Sequence, residues 1–113
     1  MRALFAVVAT LACGLASAAN LYLTEFKERP PVTYQAAWTP ANAHQKITFT
    51  TSSVQSAAFA YQSVLIRVQC DAICYLNIGG TNPTANLTNI RLVAGQTEYF
   101  LVTSGDKLAV IGE

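Results

Sequence analysis

A search for chemistry in this 113-residue chain begins at His44, its one histidine. An imidazole can act as general base or metal ligand near neutral pH. His44 stands in the polar stretch Ala43-His44-Gln45-Lys46, just ahead of an alternating segment, so it reads as an exposed residue at a strand start. A zinc site needs several nitrogen or sulfur ligands at suitable spacing. Cys70 and Cys74 with His44 do not supply that spacing.

The acidic residues are Glu25, Glu28, Asp71, Glu98, Asp106 and Glu113. A glycosidase needs two carboxylates facing a cleft. These six sit mostly at turns and chain ends, where solvated charge is the ordinary state. Asp71 and Asp106 hold turn positions, where an Asp side chain bonds the local backbone. Gly79-Gly80 lacks the following Gly-Lys-Ser/Thr, or the helix opening, of a phosphate loop. It reads as a turn. Asn86-Leu87-Thr88 matches a glycosylation sequon, a match too common to carry weight. The chain reads as non-enzymatic, with no cofactor and no metal.

The aromatic residues could instead form a stacking platform for sugars or bases. In a small β domain most of them are needed for the core. Tyr34 and Trp38 lie near Pro30-Pro31 and are the ones expected at the surface.

The elements that position these residues have the period of strands. Leu21 to Phe26 is rich in β-formers and partly alternates. Pro30 and Pro31 cannot donate to a ladder, so Val32 to Gln35 reads as an edge segment. Lys46 to Thr50 alternates with Ile47 and Phe49 on one face. Ser56 to Tyr61 is Ala-rich but too short and uncapped to hold a helix, and reads as a loop. Val64 to Cys70 is the strongest strand, with Val64, Ile66, Val68 and Cys70 on one face. Asp71-Ala72-Ile73 is a tight connection, and Cys74 to Ile78 is expected to pair back as a hairpin. Residues 79–84 are a loop; Ile90 to Val93, Glu98 to Val102 and Lys107 to Ile111 are further strands parted by turns.

About seven or eight short strands with no helix argue an all-β fold, an antiparallel β-sandwich of jelly-roll-like or Ig-like kind. Ile66, Val68, Leu76, Ile78, Phe100, Val102, Leu108 and Val110 are its expected core. Residues 19–113 form this single domain. Residues 1–18 read as a signal-peptide-like segment or N-terminal arm. Arg2 is a short positive region, Ala3 to Ala12 an apolar one, and Ala16-Ser17-Ala18 a small-residue cleavage pattern. Leu11-Ala12-Cys13 hints at a lipoprotein site, but Thr10 stands where such sites prefer Leu.

Hydrophobic residues make up 52% of the chain and charged ones 12%, with a formal net charge of +1. Beyond residue 18 six basic and six acidic residues balance. The basic residues are scattered singly, so nothing supplies the basic face that nucleic-acid binding requires. Charge gives no reason to expect a membrane for the mature domain.

Several segments together resemble small bacteriophage virion proteins. They are Asn20 to Phe26, Leu65-Ile66-Arg67-Val68, Asp71-Ala72-Ile73-Cys74, Ile78 to Ala85, Thr97-Glu98-Tyr99-Phe100 and Ser104 to Ile111. The likeness covers most of the chain after residue 19. It implies a capsid decoration (cement) or head–tail accessory subunit, located in the virion. Its partners would be phage capsid or head–tail proteins and further copies of itself, a trimer being favoured. Contacts are expected from Pro30, Pro31, Tyr34 and Trp38 and from the loop carrying Gly79, Gly80, Asn82 and Pro83. Such relatives begin directly at the Asn-Leu-Tyr segment, whereas this chain also carries the leader of residues 1–18. Either translation starts further downstream, or the leader belongs to the particle, or the protein is exported. Export implies a secreted or periplasmic β-sandwich that binds a ligand or partner.

Cys70 and Cys74 flank a three-residue connection. Facing hairpin residues lie close enough for a disulfide. Two reduced, packed thiols are the favoured state, because a virion forms in a reducing cytoplasm.

Overall fold

The computed structural model describes residues 18–27 and 41–113. Alternating apolar residues become strands in eight places: β1 (Ala19–Phe26), β2 (Ala43–Phe49), β3 (Val54–Gln55), β4 (Leu65–Cys70), β5 (Cys74–Ile78), β6 (Ile90–Leu92), β7 (Thr97–Leu101) and β8 (Leu108–Gly112). No helix is present among the described residues. The strands make two four-stranded sheets, ordered β2-β1-β4-β7 and β3-β8-β5-β6, with every pairing antiparallel. The protein is an all-β sandwich.

The connectivity has a simple logic. β5 pairs with β6, β4 with β7 and β3 with β8. This is one long antiparallel ribbon, tipped by residues 79–89, and rolled so that successive rungs alternate between the two sheets. That is the jelly-roll pattern. β1 fills the place on the other side of β4 and carries β2 at its outer edge.

The core lies between the sheets. Leu21 and Leu23 from β1, Ile66 and Val68 from β4, Leu76 from β5, and Leu108 and Val110 from β8 are wholly or almost wholly buried in it. Of the expected core, Ile66, Val68, Leu76, Leu108 and Val110 lie at its centre, while Ile78, Phe100 and Val102 pack against it half-buried. Phe100 belongs to an edge strand and Val102 follows it, so each has neighbours on fewer sides. The Ser56–Tyr61 stretch is irregular, as its shortness and lack of a cap suggested, and plugs Phe59 into the core. The two-residue β3 was not legible beside Ser52-Ser53. The expected strand at Val32 to Gln35 lies outside the described residues.

One expectation is corrected. Cys74 to Ile78 does not pair back on Val64 to Cys70, because β4 and β5 belong to opposite sheets. A three-residue link serves a hairpin or a corner equally, and the apolar alternation is the same in both. Partners decide it: β4 lies between β1 and β7, and β5 between β8 and β6. Asp71-Ala72-Ile73 is therefore a corner from one layer to the other.

Candidate functional site

Cys70 and Cys74 stand at the two sides of that corner, both fully buried, and are joined as a disulfide with Cα atoms 6.4 Å apart. The sequence favoured reduced thiols here. The sheet-to-sheet corner turns both side chains into the core, facing one another, which brings the sulfurs together. The bond links the two sheets at one end of the sandwich.

A cleft of about 520 Å3 opens at the same end, with Phe49, Thr50, Asp71, Ile73 and Glu113 among its lining residues. Its two carboxylates are already engaged. Asp71 Oδ1 accepts from the backbone N–H of Asn20 at 2.8 Å, and Glu113 Oε2 accepts from the Tyr75 hydroxyl at 2.7 Å. Among the described residues that line it, no hydroxyl or thiol is hydrogen-bonded to a histidine or carboxylate.

Glu25 departs from the solvated state expected of most of the acidic residues. Its side chain is only 1% exposed, on the core side of β1. Oε1 accepts from the Ala60 N–H at 2.7 Å and the Ser63 hydroxyl at 2.8 Å, and Oε2 accepts from Gln45 Nε2 at 2.9 Å. Gln45 is held in turn, its Oε1 accepting from the Ala57 N–H at 2.9 Å. The cluster ties residues 57–63 to β1 and β2. The available signal was parity, since Glu25 is in phase with Leu21 and Leu23. Among the described residues no buried side-chain nitrogen or oxygen lacks a partner.

His44 is exposed on β2, with Nδ1 3.5 Å from the Thr24 hydroxyl. No three of His, Cys, Asp and Glu gather as a metal would require among the described residues. Among the same residues no helix is long and apolar enough to cross a membrane. Pro30, Pro31, Tyr34 and Trp38 lie outside the described residues.

The loop after β5 is more tightly held than its composition suggested. Gly79 and Gly80 take φ of 124° and 76°, a region that favours glycine, to turn the chain out of the strand. Gln55 Nε2 then donates to Asn82 Oδ1 at 2.7 Å and to the Pro83 carbonyl at 2.9 Å, and Asn77 Nδ2 donates to the Thr84 carbonyl at 2.9 Å. Gly80 and Asn82 are exposed, but Pro83 is buried. Pro83 is thus not presented as a contact residue on the surface of this chain.

Of the aromatics, Phe26, Phe49, Phe59 and Tyr75 are buried, while Tyr22, Tyr61 and Tyr99 are exposed. The three do not make a stacking row. Tyr22 is covered at 6.0 Å by Lys46 Nζ, Tyr61 sits in the turn before β4, and Tyr99 is on edge strand β7.

Fold and surface together define an all-β sandwich in which many polar side chains bond within the molecule. No family model matches this chain, and no curated protein or solved structure shows significant similarity to it.

Proposed function

We propose that this chain is a non-enzymatic structural subunit of a bacteriophage particle, of capsid decoration or head–tail accessory type, working through contacts with neighbouring subunits. One observation carries the reading. Three carboxylates, Glu25, Asp71 and Glu113, are engaged in internal hydrogen bonds, whereas Leu87, Ile90, Val93, Tyr99 and Leu101 are left exposed. Exposed apolar area of this kind belongs to surfaces that meet other proteins. The phage resemblance supplies the partner class, and repeated attachment on a lattice supplies avidity without one strong site. Mass spectrometry of gradient-purified particles tests it. The protein is expected in particles at many copies; its absence from them would end this reading.

A second reading, a secreted or periplasmic binding domain, has two observations in its favour. A disulfide suits an oxidising compartment. Ala19, which follows the Ala16-Ser17-Ala18 cleavage pattern, is the first residue of β1. N-terminal sequencing distinguishes the two: protein beginning at Ala19 in the periplasm or medium supports export.

A further inference from the structure

Among the described residues seven large apolar side chains are exposed, and five of them fall within residues 87–101: Leu87, Ile90, Val93, Tyr99 and Leu101, the last 60% exposed. β6 and β7 are the edge strands of the two sheets and are joined by the short Val93-Ala94-Gly95-Gln96 turn. The strands next to them, β5 and β4, are joined by the equally short 71–73 corner. The two edges therefore run along the same side of the sandwich.

An edge strand offers a row of backbone N–H and C=O groups to any strand that approaches, and proteins blunt such edges with lysine, proline or shortness. The opposite side of this sandwich uses two of those devices. β2 carries Lys46, and β3 is two residues long. On this side β6 is also short, at three residues with an exposed Arg91, but the five-residue β7 contains neither lysine nor proline. β7 is the edge left without these devices.

We propose that the β6–β7 side is a contact between two copies of this chain, with β7 of one protomer pairing antiparallel to β7 of its partner about Tyr99. The strand suits pairing with itself. Thr97 comes opposite the partner's Leu101, Glu98 opposite the partner's Phe100, and Tyr99 opposite the partner's Tyr99. No like charges face one another, and the central pair is aromatic on aromatic, a favourable kind. The two four-stranded sheets become one of eight strands. A single foreign strand would cover only one edge. A two-fold related copy pairs with β7 and brings Ile90 and Val93 of both protomers to the same contact. This inference goes beyond the phage reading and does not depend on it, because the same self-pairing holds for an exported domain.

Sedimentation of the full chain over a concentration series tests it. A reversible monomer–dimer equilibrium is expected. Tyr99→Lys weakens it by about tenfold or more, since two lysines then meet across the axis. Tyr22→Lys, on a central strand of the same sheet, leaves it unchanged. A second measurement fixes the register. In a Cys13→Ser background, Tyr99→Cys places two cysteines at a cross-strand separation of about 5 Å between Cα atoms, within disulfide reach. Mild oxidation is expected to give a covalent dimer on a non-reducing gel. Leu101→Cys gives none, because the two copies of that residue lie about 14 Å apart along the strands. A chain that stays monomeric, an assembly indifferent to Tyr99→Lys, or a Tyr99→Cys protein that does not cross-link overturns the proposal.

Discussion

The Ser63 hydroxyl donates a 2.8 Å hydrogen bond to Glu25 Oε1 across 38 positions of sequence, in a part of the molecule closed to water. Burying a carboxylate is costly unless its oxygens are matched by donors. Here the donors are a backbone N–H, a hydroxyl and an amide, so neutral groups hold it. The contact fixes the irregular 57–63 segment that feeds β4.

Glu25→Gln is expected to lower unfolding stability by about 2 kcal/mol, because an amide sets an N–H2 against existing donors. Gln45 has little freedom to turn and relieve this, as its Oε1 is held by Ala57. Ser63→Ala should cost about 1 kcal/mol. Urea denaturation of both single variants and the double variant reads the effect, and a coupling energy near zero would show that the pair acts independently.

Ile66→Asp is expected to abolish cooperative folding. Ile66 is fully buried on β4, between β1 and β7, where a new carboxylate would stand among the apolar residues of the core. The cost of an unpaired buried charge exceeds the stability of a domain this size. A cooperative thermal transition in that variant would contradict the placement.

Unfolded, unreduced full-length chain should present one titratable thiol, Cys13, and three after reduction. Three thiols before reduction would show the corner unbridged. With a sequence separation of 4, the loop is short, and chain entropy alone gives about 2 kcal/mol for the bond. Reduced protein should therefore unfold at lower urea concentration.

Gly112→Ala is expected to destabilise the domain by about 1–3 kcal/mol through overpacking. The Gly112 N–H donates to the Thr50 carbonyl at 2.6 Å, linking β8 to the residue that follows β2. A Cβ at Gly112 would come within 2.9 Å of that same oxygen and 3.3 Å of the Phe49 ring. That oxygen accepts the Gly112 N–H, so it cannot retreat without weakening the bond. Thermal denaturation of the variant measures the loss.

Strand identity was legible because a half-buried strand must alternate, and that constraint is local. Cys74–Ile78 has the observed bounds of β5, and Ile66, Val68, Leu76, Leu108 and Val110 mark the inner faces. Which strand pairs with which was not local. The three-residue link between Cys70 and Cys74 fits a hairpin and a corner alike, and only the competition of β1, β7, β8 and β6 for partners makes it a corner. The same holds for Glu25, whose burial depends on donors from residues 45, 60 and 63 that the chain brings together only when both ends of the cluster are folded. The exposed side formed by β6 and β7 likewise follows from sheet order, since an edge is defined by the strand that is missing beside it. Alternation is written residue by residue, whereas pairing is a property of the whole chain, and that is why the tertiary structure alone decided it.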